Sequence, residues 1–271
     1  MERELATLVE SIRNAGTMVR ELVRGGFEVQ TKPDRSPVTT VDYEVNRILH
    51  EMQLREFPQD GWLSEESPDD PARLTNRRVW IVDPIDGTKA LVNRIPEFCI
   101  SVALVEQGAP VVAAILNPST DELFTAVRGG GLFLNGTGVT HSPAHDISPV
   151  IMVSAWEFRT GRWSSLAETV QCRPMYSIAN ALTLVAAGRV QATFTIEPEN
   201  EWDLAAGVLL IEESGGAISD GAGKPFTFNQ PKPRFRGVIA VAAIADKDLR
   251  ANLQTHAEHA RSQPEQKRAA P

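Results

Sequence analysis

Between Val79 and Leu134 the chain repeats one pattern: short apolar runs broken by turn-forming residues. The segments "VWIVD", "FCISVALVEQG", "PVVAAILNP", "ELFTAVRGG" and "GLFLNG" are separated only by Gly, Pro and Asn-Gly signals. Connections this short leave no room for crossover helices, so consecutive strands must pair antiparallel in a meander. Such a sheet needs its apolar faces covered, and the preceding residues supply the cover. Leu5, Leu8, Val9, Ile12, Ala15, Val19, Leu22 and Val23 recur at helical spacing before Gly25-Gly26. A second amphipathic helix runs from about Val41 through Val45, Ile48, Leu49 and Met52 to Phe57, ahead of Pro58.

After "TGVTHSPAHDISP" the rhythm changes to alternation. "VIMVSAW" is predicted as strand, Ser164 to Val170 and Ile178 to Ala187 as helices, and "VQATFTI" as strand. Asp203 to Ser214 is predicted as helix, "GVIAVAAIA" as strand, and Lys247 to His256 as a closing helix. The expected organisation is therefore an N-terminal α+β domain over 1–145 and a C-terminal α/β domain over 146–260. The polar segment 261–271, "RSQPEQKRAAP", is expected to be a disordered tail.

At 42% hydrophobic residues the 271-residue chain can bury a large core, and its net charge of −8 argues against a general nucleic-acid-binding surface. A nucleic-acid polymer is thus an unsuitable partner. No apolar run approaches a membrane span, and the first 16 residues mix acids and bases unlike a secretory signal. A cytoplasmic location follows as the expectation, with Cys99 and Cys172 as two buried reduced thiols. "GAGKPF" lacks the GK[ST] of a phosphate-binding loop, and no G-x-S-x-G nucleophile elbow occurs.

Acids gather at the ends of apolar elements. "LSEES" presents Glu65 and Glu66, "WIVDPIDGT" presents Asp83 and Asp86, and the helices after "SPVTT" and "ENEW" open on Asp42 and Asp203. Each has an ordinary explanation alone: D-G pairs make turns, helix-start aspartates are caps, and paired glutamates are solvated loops. Together, four separated elements each ending in acid provide the oxygen donors that a hard cation requires. Pro84 fixes its backbone so that the Ile85 carbonyl can point between the aspartates, Gly87 allows close approach, and Thr88 supplies a hydroxyl. If a helix begins at Gly87, its free N–H groups face any anion held there.

"SEES", "WIVDPIDGT" and "WDLAAGVLLIEESGG", in that order, resemble the inositol monophosphatase superfamily of Mg2+-dependent, lithium-sensitive phosphatases. The similarity extends from "SPVTTVD" to "GKPF", and eleven residues separate Asp203 from Gly215 as in the superfamily's WD-x11-GG signature. The resemblance implies a layered αβαβα sandwich of the inositol monophosphatase and fructose-1,6-bisphosphatase type. It implies Glu65, Asp83, the Ile85 carbonyl, Asp86 and Asp203 as metal ligands for two or three Mg2+ ions, with Mn2+ able to substitute. Asp42, Glu65 and Thr88 take the catalytic roles, Thr88 with Asp42 orienting and helping deprotonate the attacking water. The amides of Gly87 and Thr88 take the phosphate of a small-molecule ester. Lys89, Ser177 and Glu197 are candidates for substrate contact, and a homodimer is allowed.

Two branches compete for the substrate. "PENEWD" and "DGTK" look like 3'(2'),5'-bisphosphate nucleotidases, whereas "VAAGRV" and "DPIDGT" look like inositol or sugar monophosphatases. Tyr176-Ser177 stands where many members of the superfamily carry Gly-Ser or Gly-Thr, and "SIAN" lacks the nucleotidases' lysine. Both departures weaken a nucleotide assignment. Glu197 lies near, but not in register with, the glutamate that binds inositol hydroxyls. A catalytically inactive metal- or anion-binding regulatory protein is the alternative from another class.

Overall fold

Side-chain alternation along strand β4 (Arg78–Asp86) divides the protein into layers. Trp80 and Val82 face one core, with Leu8, Ile12, Ala15 and Val19 of α1 (Glu2–Gly25) and Val41, Val45 and Leu49 of α2 (Thr40–Glu56). Val79 and Ile81 face a second core on the opposite side of the sheet. The structure is a computed structural model that describes residues 1–140, 150–160, 163, 166, 170–245 and 248–262. The predicted helix at Ser164 to Val170 and the predicted tail lie largely outside the described residues.

Before the first sheet, β1 (Val29–Thr31) and β2 (Pro37–Thr39) form an antiparallel hairpin that leads into α2. The seven-stranded sheet then runs from β3 (Gly61–Ser64) through β4 to β5 (Cys99–Glu106), with the five-residue helix α3 (Thr88–Val92) between β4 and β5. It continues through β6 (Ala109–Asn117), β7 (Glu122–Val127), β8 (Leu132–Leu134) and β9 (Thr137–Gly138). Every pairing from β4 to β9 is antiparallel, as the tight turns require; β3 alone is parallel to its neighbour.

The second sheet is mixed. β10 (Val150–Ser154) is parallel to both β11 (Gln171–Met175) and β12 (Ala192–Thr195). β14 (Ala217–Asp220) and β16 (Val238–Val241) complete it antiparallel, while β13 (Glu199–Asn200) pairs separately with β15 (Arg234–Phe235). The "VIMVSAW" strand stops at Ser154 because Ala155 opens the short helix α4 (Ala155–Arg159).

Between the sheets lie α5 (Ile178–Ala186) and α6 (Glu201–Glu213), whose apolar residues share one core with both sheets. A helix sandwiched this way is apolar nearly all round, which explains the run "LAAGVLLI". The two helices approach closely: a Cβ on Gly207 would lie 2.3 Å from Leu182. The outer face of the second sheet packs Ile151, Val153, Phe194 and Ile239 against Leu249, Leu253 and Ala257 of α7 (Leu249–Ser262). The layers therefore alternate helices, sheet, helices, sheet, helix, the sandwich that the resemblance implies. Cys99 is buried, whereas Cys172 is half-buried and not fully enclosed as expected; neither forms a disulfide. Among the described residues no helix is long and apolar enough to cross a membrane.

Candidate metal centre

β4 does not end at Asp83. It continues to Asp86 through a bulge, with Asp83 opposite Ser101 and Asp86 opposite Cys99 of β5. Pro84, which cannot donate to a ladder, is tolerated because β3 has already ended: its last partner is Val82. The bulge re-aims the chain so that Asp83 and Asp86 converge. Glu65 follows β3 directly and donates its N–H to the Val82 carbonyl at 3.3 Å, which sets it beside Asp83 in the sheet.

Asp203 arrives from the other side, on the third residue of α6 rather than the first. The helix begins at Glu201, and Asp203 closes a capping box by accepting the Asn200 N–H at 2.5 Å. Asp42 holds the same position in α2, accepting the Thr39 N–H at 2.8 Å and its hydroxyl at 2.6 Å. Both aspartates thus act as caps as well as site acids, and the N-terminal helix dipoles favour their charge.

Carboxylate oxygens of Asp83, Asp86 and Asp203 come within 4.8 Å of one another. Burial, then the charges of Glu65, Asp86 and Asp203, push the Asp83 carboxyl far above its ordinary range. Burial opposes ionisation of Asp86 more strongly than its hydrogen bonds favour it, raising its pKa to about 6. Burial and the Asp86 charge raise Asp203 to about 8. Asp83 Oδ1 is buried without any hydrogen-bond partner. An orphaned buried carboxylate oxygen inside a ring of like charges fits a hard divalent cation with oxygen ligands.

The remaining expected residues surround this cluster. Thr88 donates its hydroxyl to Asp42 Oδ1 at 3.0 Å or to the Ile85 carbonyl at 3.1 Å. Burial raises the Asp42 carboxyl above its ordinary value, against the pull of its Thr39 and Thr88 bonds. Gly87 caps α3 at φ 91°, and a Cβ there would meet the Glu97 carbonyl at 2.9 Å. The site therefore requires glycine at that position. Ser177 donates to Asp86 Oδ2 at 2.6 Å, and the Ala179 N–H donates to the same oxygen at 2.6 Å. Ser177 thus orients a site acid. Lys89 is exposed on the first turn of α3, and Glu197 is half-buried in the turn after β12.

Two participants escaped the sequence reading. Glu199 stands four residues before Asp203, and burial with the charges of Asp203 and Asp86 drives its carboxyl well up. The "PENEWD" segment displays this acid, but no periodicity marks it as facing the cluster. Lys32 places its ammonium 2.7 Å from Glu65 and 2.5 Å from Glu66. Glu66 is almost enclosed, with 5% of its side chain exposed, so the ordinary reading of the glutamate pair as a solvated loop does not apply to it.

A layered α+β scaffold thus brings acids from adjacent strands of the first sheet and from two helix starts to one place, where they could hold a metal ion. Comparison makes this specific. The profile described as the Inositol monophosphatase family matches residues 1–264, and the chain belongs to that family. The Inositol-1-monophosphatase of Rhizobium meliloti is 36% identical over 238 residues, covering 82% of this chain and 87% of that protein. The Nus factor SuhB of Escherichia coli K12 is 32% identical over 235 residues, with the same coverage. Among solved structures, an inositol monophosphatase from Thermotoga maritima superposes with TM-score 0.82 at 25% identity, covering 96% of this chain and 98% of its own. The extragenic suppressor protein suhB of Bartonella henselae gives TM-score 0.80 at 26% identity, covering 94% and 98%.

Proposed function

We propose that the protein is a Mg2+-dependent phosphomonoesterase acting on a small-molecule phosphate, an inositol or sugar monophosphate. The observation that carries this reading is the Asp83–Asp86–Asp203 cluster within 4.8 Å, beside the Thr88–Asp42 hydrogen bond. Glu65, Asp83, the Ile85 carbonyl, Asp86 and Asp203 would hold Mg2+. When bound, the metal would neutralise the phosphate charge and make a water more acidic.

The chain's own residues account for the rest of the chemistry. Asp42, linked to the Thr88 hydroxyl, accepts the proton that the attacking water must lose. Asp42 is secured at a helix start by Thr39, so it holds its orientation as it does so. The Gly87 and Thr88 amides at the start of α3 bind phosphate oxygens. Ser177 keeps Asp86 aimed into the cluster.

The Rhizobium relative's name supports an inositol ester as substrate. Adenosine 3',5'-bisphosphate is the alternative that "PENEWD" and "DGTK" favour. The Escherichia coli relative's name, Nus factor SuhB, invites a second reading as a non-catalytic regulatory module. The retention of every expected acid in this chain favours hydrolysis. The test is phosphate release from inositol, sugar and histidinol phosphates and adenosine 3',5'-bisphosphate, comparing kcat/KM with MgCl2 and after EDTA. Release that persists in EDTA, or no release from any ester, refutes the proposal.

A further inference from the structure

Strands β10 and β12 run parallel, pairing Val153 with Phe194, and end side by side at Ser154 and Thr195. Ligand sites form beyond such carboxyl ends of parallel strands. Here α4 leaves the end of β10, and residues 196–198 leave the end of β12 toward β13. Glu157 of α4 joins the two: it is fully buried, and its Oε1 accepts the Ile196 N–H at 3.1 Å. The buried Thr195 hydroxyl accepts the Glu197 N–H at 3.0 Å. Gly237, just before β16, packs against the same turn: a Cβ there would lie 2.3 Å from the Thr195 carbonyl oxygen. Burial raises the Glu157 carboxyl above its ordinary value, against the pull of the Ile196 N–H and the Thr195 hydroxyl. Its Oε2 is buried with no hydrogen-bond partner among the described residues. Such a carboxyl is a costly way to fill space, since an apolar side chain would leave no oxygen unpaired. What Glu157 contributes is the acceptor for Ile196.

The tethered segment runs on to the acid cluster. Asp203 holds its far end through the Asn200 N–H, and Glu199 pairs with Phe235 in the sheet. Between the two anchors Glu197 and Glu199 are half-buried, with Glu199 inside the field of Asp203 and Asp86. Pro198 between them restricts Glu197 to extended backbone. We infer that Glu157 is a positioning residue for substrate choice: by anchoring the Ile196 amide it fixes the 196–200 segment, so that Glu197 and Glu199 accept hydrogen bonds from hydroxyl groups on the alcohol part of the ester. The inference rests on the phosphatase reading above. Fully buried, Glu157 itself touches no substrate. Carboxylates on a fixed segment lose less freedom on binding than carboxylates on a loose one, so the tether lowers KM for a polyol ester. An ester whose alcohol carries no hydroxyl group gains nothing from it.

The test compares inositol 1-phosphate with 4-nitrophenyl phosphate, which has no alcohol hydroxyls, in saturating MgCl2. In Glu157→Ala the ratio of their kcat/KM values should fall roughly tenfold, the scale of one hydrogen bond to a charged group. The loss should appear in KM for inositol 1-phosphate rather than in kcat. Glu157→Gln keeps an oxygen for the Ile196 N–H and should restore the ratio to within about twofold of wild type. Glu157→Asp keeps the buried carboxyl but ends a methylene short of Ile196, so it should shift the ratio as alanine does, and the test does not depend on the alanine variant folding. Equal losses on both esters in the alanine and aspartate variants, or a ratio that does not move, overturn the positioning role alone. A wild-type protein that releases phosphate from neither ester overturns the phosphatase reading, and the positioning role with it.

Discussion

Asp203→Asn separates the cost of the acid cluster from its use. The amide retains an oxygen that can accept the Asn200 N–H, so the capping box survives, but one negative charge leaves the cluster. In the metal-free protein Asp203 titrates at about 8 against an ordinary 3.8. The folded form therefore keeps a proton that the unfolded chain releases, and wild-type stability falls as pH rises between those values. At pH 7, about 3.2 pH units above the ordinary value, roughly 1.36 kcal/mol per unit sets a ceiling of about 4 kcal/mol. Asp83, Asp86 and Glu65 share the same repulsion, so about 2 kcal/mol is the expected gain for the metal-free variant. At pH 5 the ceiling drops by more than half, and the difference between the proteins should shrink with it. The assay is urea unfolding in EDTA at several pH values, followed by the fluorescence of the five tryptophans. Saturating MgCl2 should reverse the order: 100-fold excess over Kd adds about 2.7 kcal/mol to the wild-type protein. The variant, lacking a ligand, should gain far less and lose phosphate release. A metal-free variant less stable than wild type at pH 7, or pH profiles that run parallel, would refute the reasoning.

Other perturbations reach different parts of the site. Ser177→Ala removes both the cap of α5 and the 2.6 Å bond to Asp86, so a stability loss of about 1 kcal/mol should accompany weaker Mg2+ binding, measured by denaturation and calorimetry. Thr88→Val keeps the shape but severs the link to Asp42; kcat at saturating Mg2+ should fall roughly 10²–10⁴-fold, with Mg2+ affinity nearly unchanged. LiCl should inhibit phosphate release more than NaCl at the same millimolar concentration, because Li+ at a site built for a divalent ion supplies half the charge. Equal responses to both salts would remove the lithium expectation.

The fold was legible wherever local rules and tertiary placement agree. Turn chemistry between Val79 and Leu134 dictated the antiparallel meander, and 3.6-residue periodicity exposed α1 and α2. The parallel pairing of β3 left no such trace, because four residues carry too little pattern to state a direction. The continuation of β4 to Asp86 was hidden for another reason. Pro-x-Asp-Gly is turn chemistry, and only the early end of β3 lets a proline sit in that strand. Among site residues, Asp42, Glu65, Asp83, Asp86 and Asp203 were visible because each lies at the end of an apolar element, whereas Glu199 was not. Ser177 was named only as a substrate contact; its bond to Asp86 across 91 positions, like that of Lys32 to Glu65 across 33, is a choice that no spacing encodes.

The two aspartates at helix starts show why capping and ligation need not be rival explanations. A carboxylate at the third helical position has one oxygen turned back to the cap N–H, which fixes its rotamer and brings it to the positive end of the dipole. Asp42 and Asp203 are both placed this way, from helices on opposite sides of the first sheet. Their helices help the fold tolerate buried like charges before any cation arrives. The strand bulge at Asp83–Asp86 has no such compensation on Asp83 Oδ1, and there the site's demand for a cation is concentrated. A glutamate replacing Asp203 would keep the charge but carry it a methylene further from the cap. We therefore expect Asp203→Glu to keep the pH-dependent instability of the metal-free protein while weakening Mg2+ binding by calorimetry. Wild-type Mg2+ affinity in that variant would show that the capping box does not set the ligand's position.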